Sequence, residues 1–144
     1  FEKLKTFFDE YKPENMRLIK TLPKEDYDRM IAVCDVGMIF LDHRFTIPNF
    51  PSRLLSYMQA GLPVLACTDS NTDIGKAIEE GGFGWWCESN NVNNFYNLIC
   101  DICSTNFYSL GQLGYLYLKE NYTAFQSYKI IMDSTRKKNN TGES

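Results

Sequence analysis

Histidine is almost missing from this 144-residue sequence, and His43 stands alone. A nucleophile–histidine pair could therefore draw on one imidazole and no other. An excess of positive charge is missing too. Fifteen Lys and Arg face eighteen Asp and Glu, a net charge of −3, which gives no basic field for nucleic acid. No apolar run approaches the ~20 residues of a membrane span, and no signal peptide is expected in this stretch. Internal repeats are absent, and low complexity is confined to the polar tail Lys138–Ser144. The five cysteines are odd in number, which argues against a disulfide framework. Cys100-Asp-Ile-Cys103 has CxxC spacing but lies in a helical pattern, with no second pair and no histidine nearby. Buried, reduced thiols of a cytosolic protein are expected instead of a zinc or redox site, and no metal or cofactor is called for.

What is present is core-forming material: 44% hydrophobic and 15% aromatic residues. A chain of this length fits one domain and buries roughly 68–70% of its unfolded surface. Residues 1–137 are expected to form that domain, with 138–144 as a flexible tail. Phe1 is not a natural first residue, so the numbering is expected to start inside a longer protein.

Along the chain, Phe1, Leu4, Phe8 and Tyr11 fall at helical spacing, and Met16–Thr21 reads as a short strand. Pro23 opens a second helix with acidic residues in its first turn. Val36–Leu41 is a continuous apolar run, hence a central strand. A polar loop from Asp42 to Phe50 follows. Pro51 then suits the first turn of a helix because its missing N–H would be unpaired there. Leu54, Leu55 and Met58 share one face of that helix, Gly61 supplies a left-handed stop, and Pro63–Thr68 begins a buried strand. Ile74, Ala77 and Ile78 mark the next helix, and Phe83–Glu88 a strand carrying an exposed or edge-like tryptophan pair. Three further helices follow, near Phe95–Ile102, Phe107–Glu120 and Ala124–Lys137. Four strand-to-helix alternations with short connections predict an α/β fold, an open parallel sheet with helices on both faces. Such sheets bind ligands outside the carboxyl ends of their strands. A loop that delivers unpaired backbone N–H groups at a helix N-terminus is a natural cradle for phosphate.

The stretch Pro51-Ser-Arg-Leu-Leu-Ser-Tyr-Met-Gln-Ala-Gly-Leu-Pro-Val64 resembles the donor-binding segment in the C-terminal half of GT-B glycosyltransferases, of the family-4 kind that builds bacterial polysaccharides. The resemblance extends to Leu18–Pro23, Ile31–Val36, Asn71–Lys76, Gly82–Trp86 and Tyr117–Tyr122 in the same order. It implies a Rossmann-like domain that binds a nucleotide-sugar donor. The acceptor, a glycan or lipid-linked sugar, would be held by a preceding N-terminal domain, and transfer would proceed with retention. It also implies a cytoplasmic setting, with peripheral association of the full-length protein at the inner face of the membrane. The signature Glu-x7-Glu of that family falls on Pro48 and Ser56, so neither carboxylate is present. One hydrogen bond from Ser56 in place of a charged bidentate contact is a difference of ~1–2 kcal/mol.

The candidate donor-binding residues are Asn49, Phe50, Ser52, Arg53, Ser56, Thr21, Leu22 and His43. Ser52 and Arg53 would face a diphosphate, although Ser52 could equally be a helix cap and Arg53 a solvated side chain. Asn49 either caps the helix or reaches a sugar hydroxyl. Thr21 and Leu22 would lie against the base, and His43 sits in the loop beside the expected cleft. Trp85 and Trp86 read as packing rather than a sugar platform. No catalytic residue is assigned, and the 144-residue chain alone is expected to turn over no donor. Two other readings stay open: a non-catalytic GT-B-like partner module, and half of a sugar-nucleotide epimerase.

Overall fold

The sequence Val64-Leu-Ala-Cys-Thr68 has no polar alternation, and it forms a strand buried on both faces. In the computed structural model this strand, β2 (Val64–Thr68), lies between β1 (Gly37–Phe40) and β3 (Gly84–Glu88). Both pairings are parallel, with Met38 opposite Leu65 and Leu65 opposite Trp85. The described residues are 1–44, 50–104 and 106–140. The chain divides into two units, Phe1–Met30 and Ile31–Ser144, and the sheet belongs wholly to the second.

The first unit contains α1 (Glu2–Tyr11) and most of α2 (Lys24–Ile31). Lys12 ends α1 in a left-handed conformation with φ 43°, its N–H donating to the Phe8 carbonyl. The expected strand over residues 16–21 does not form. Arg17 and Lys20 interrupt its apolar residues, and Met16 and Ile19 stay 55% and 51% exposed, so the run buries no face.

In the second unit, strand alternation divides the core into two layers. Leu65, Cys67 and Cys87 point toward α5 (Val92–Ser104), where Phe95, Leu98, Ile99 and Ile102 form the matching face. On the other side lie α3 (Ser52–Gln59) and α4 (Ile74–Gly81), whose Leu54, Met58, Ile74 and Ile78 are fully buried. The sheet is thus covered by helices on both faces, as the alternation predicts. The two tryptophans part company across it. Trp85 packs edge-on against Phe107, while Trp86 covers Gly75 and donates from Nε1 to Thr68 Oγ1 at 2.9 Å. Both are packing residues.

Then α6 (Tyr108–Asn121) crosses α3, and α7 (Ala124–Asn140) closes the chain, running three residues past its expected end. Gly61 has φ +66° and stops α3, as expected, but Pro51 is the N-cap of α3 rather than part of its first turn. β1 is an edge strand among the described residues, not a central one, and Phe40 is 59% exposed. The apolar run at 36–41 reflects helices on its faces rather than a strand on either side. Two thiols are buried, Cys67 and Cys87, with sulfurs 3.5 Å apart on paired strands and no disulfide. Cys34, Cys100 and Cys103 are exposed, against expectation, because each sits on the solvent side of its helix or helix end.

Candidate functional site

A cavity of about 530 Å³ opens at the carboxyl end of β1, lined by Ile39, Phe40, Leu41, Phe50, Pro51, Ser52 and Arg53. Its size falls in the range of small-ligand sites. Its position follows from the fold: parallel strands end where the following helices begin, so loop backbone and helix N-termini converge there. A smaller cavity of about 280 Å³ lies at the opposite, amino ends of the strands, beside Asp35 and Pro63.

The first turn of α3 gives the larger cavity its polarity. Pro51, with φ −64° and ψ 127°, carries no N–H and accepts from Leu54 N through its carbonyl at 3.0 Å. The N–H groups of Ser52 and Arg53 find no acceptor among the described residues, as expected of a helix start without a side-chain cap. No acidic residue occupies that first turn to compete for them. The resulting partial positive charge suits an anion.

Two arginines flank the loop, and they are placed differently. Arg44 is committed to Asp42, with Nε 2.9 Å from one carboxylate oxygen and Nη2 2.6 Å from the other. These hydrogen bonds hold the Asp42 carboxyl well below its usual range. Arg53 forms no ion pair among the described residues and keeps its charge available at the cavity wall.

Of the candidate residues, the structure therefore brings Phe50, Ser52 and Arg53 together. Ser56 is not with them: its hydroxyl turns back along α3, donating to the Ser52 carbonyl at 3.4 Å. His43 is exposed in the loop after β1, with Nδ1 3.6 Å from Asp42 Oδ1, and does not line the cavity among the described residues. Asn49 and Pro48 lie outside the described residues. Thr21 and Leu22 belong to the first unit, in the segment before α2. The sequence reading missed Ile39, Phe40 and Leu41. Their signal was the one already used for the loops: they end a strand at the edge where ligands bind.

One strand over, Asp69 follows β2 and is buried. Its Oδ1 accepts from the N–H groups of Asn71 and Thr72 at 2.9 and 3.0 Å, closing the turn into α4. Its Oδ2 is buried with no hydrogen-bond partner. Among the described residues no cluster of three or more His, Cys, Asp or Glu could hold a metal ion.

The chain is 30% identical, over 112 residues and 78% of its length, to the probable glycosyltransferase WbjE of Pseudomonas aeruginosa. That similarity relates it to a glycosyltransferase. The matched stretch amounts to 28% of the relative's own length. No protein-family model matches the chain, and no solved structure does. No helix among the described residues is long and apolar enough to cross a membrane.

Proposed function

We propose that this chain is the donor-binding part of a glycosyltransferase, corresponding to the C-terminal half of a GT-B fold. The observation that carries the reading is the cavity at the end of β1, where Phe50, Ser52 and Arg53 meet the uncapped start of α3. The similarity to a probable glycosyltransferase supports it. The donor is a nucleotide-activated sugar, and the acceptor, a glycan or lipid-linked sugar, is held by residues outside this chain. In this reading residues 1–137 are the donor domain. The protein works in the cytoplasm and docks peripherally on the membrane.

The chemistry asked of this half is stabilisation of a leaving diphosphate. As the bond from the sugar to the diphosphate breaks, negative charge grows on phosphate oxygen. The Ser52 and Arg53 N–H groups are donors held in place by the helix start, and the exposed Arg53 guanidinium adds positive charge beside them. A charge-assisted hydrogen bond of this kind contributes ~1.5–3 kcal/mol, so losing it weakens binding about tenfold or more. In this reading transfer proceeds with retention, as the family-4 resemblance of the Pro51–Val64 stretch implies.

The test is a titration of the intact protein with UDP, GDP and their sugars. Arg53→Glu and Ser52→Pro should each abolish binding, the first by reversing charge and the second by removing a donor. An intact protein that binds no nucleotide would overturn the reading. A second reading, a GT-B-like module without catalysis, is favoured by the turn of Ser56 onto its own helix in place of a ligand-facing carboxylate. Donor binding or partner binding without turnover would select it.

A further inference from the structure

The wall of the cavity is held from behind. Phe50 lines the cavity, and its ring also meets that of Tyr122, with centroids 5.0 Å apart and planes inclined by 38°. Tyr122 is the C-cap of α6, fixed at its backbone by an N–H donated to the Leu118 carbonyl at 2.9 Å. Its ring in turn meets Tyr117, 6.1 Å away. Tyr117 packs 5.5 Å from Phe83, a fully buried core residue, and its hydroxyl donates to Glu80 Oε2 at 3.2 Å. An unbroken row of rings therefore runs from the core under α6 to the residue that precedes the first turn of α3. Nothing in the row is a charged ligand-binding group, and Tyr122 does not line the cavity among the described residues.

We propose that Tyr122 is a positioning residue for this cavity: its ring holds Phe50, and Phe50 fixes the entry to α3 that presents Ser52 and Arg53. The physical reason is the loop itself. Phe50 and Pro51 enter the helix without a side-chain cap, so beyond the Leu54 N–H to the Pro51 carbonyl no side-chain hydrogen bond sets their direction. A ring contact from a neighbouring helix supplies the restraint that a capping side chain would otherwise give. Tyr122 acts only through Phe50. The hydroxyl of Tyr122 is dispensable to this role and its ring is not. Where a ligand is concerned, the proposal rests on reading the cavity as a nucleotide-sugar site.

The experiment uses the intact protein and two readouts. Amide exchange over residues 50–54, followed by NMR without ligand, reports the order of the α3 entry. Affinity for UDP and GDP reports the site. In Tyr122→Ala, exchange over 50–54 should accelerate and affinity fall, each about two- to tenfold, the range of one aromatic pair. Tyr122→Phe should match the unaltered protein in both. Phe50→Ala combined with Tyr122→Ala should bind no more weakly than Phe50→Ala alone, because the second change has no route left to the site. Tyr122→Leu serves if the alanine variant melts early. Unchanged exchange, or additive losses in the double variant, overturns the proposal. Faster exchange in an unaltered-fold variant, together with no binding of UDP or GDP by the unaltered protein, ends the role in donor binding and traces the failure to the donor reading.

Discussion

Replacing Gly111 by alanine sets two physical effects against each other, and the sign of the outcome decides between them. Gly111 lies inside α6, where alanine is favoured over glycine by ~1 kcal/mol on propensity alone. In the folded chain, however, a Cβ at 111 would stand 1.8 Å from the Gly61 carbonyl oxygen and 2.6 Å from its carbon. The obstacle is backbone, and no rotamer can clear it. To reach even 3.0 Å, α6 must lift from the turn that ends α3. That lift also loosens Gly114 and Tyr117 on the buried Phe83. Overpacking costs ~1–3 kcal/mol, and a backbone obstacle belongs at the upper end. After the propensity gain, a net loss of ~2 kcal/mol is expected. Urea unfolding should show a lower midpoint with an unchanged slope. Gly61→Ala is the companion measurement. Its Cβ would meet nothing nearer than 3.9 Å, yet φ +66° makes it cost ~1–2 kcal/mol, and Gly61→Asn should cost less. A Gly111→Ala protein more stable than its parent would refute the packing of α6 on Gly61.

Three further outcomes are expected. Iodoacetamide should modify Cys34, Cys100 and Cys103 in the folded protein and all five cysteines after unfolding, since Cys67 and Cys87 are buried and burial pushes the Cys67 thiol up to about 12; mass spectrometry gives the count. Burial, then the neighbouring Tyr122 and Glu80, raises the Tyr117 hydroxyl from 10.0 to about 12. The folded state therefore holds that proton more tightly than the unfolded chain, so its contribution to stability is intact below pH 10 and is lost as pH rises through about 12; alkaline melts of Tyr117→Phe should lack this component. Asp69→Ala removes the acceptor of two N–H groups, that of Thr72 buried and that of Asn71 partly so, and should destabilise by ~1–3 kcal/mol in thermal or urea unfolding, whereas Asp69→Asn keeps that acceptor and should stay near the parent.

The segment from Ser52 to Thr68 was legible because several local signals agree there. An apolar helical face, a glycine stop, a proline and an unbroken apolar run all demand helix, turn and buried strand. Residues 16–21 were misread because a short apolar run says nothing about whether a neighbouring strand exists to pair with it. The same blindness placed β1 at the centre of the sheet. Burial on two faces and pairing on two edges leave the same apolar pattern in sequence, and only the strand order separates them. The three exposed cysteines were misplaced for a related reason, since apolar neighbours in sequence need not be neighbours on a helix face.

The cavity was half legible. Phe50, Ser52 and Arg53 follow from a rule about loops and helix starts, and they do meet at one wall. Tyr122 follows from no local pattern, because it is brought there by α6 crossing α3. Its role depends on what the site lacks. In the proposed donor reading Pro48 and Ser56 stand at the two signature positions, so that motif offers no carboxylate to orient a ligand. What remains is a helix start free of acidic residues and one arginine that Asp42 has not engaged, since Arg44 takes that carboxylate. Those groups attract an anion without fixing its direction, so geometry has to come from the walls. A site recognised by backbone N–H groups is only as well aimed as the backbone, and here a ring contact from α6 stands behind that aim.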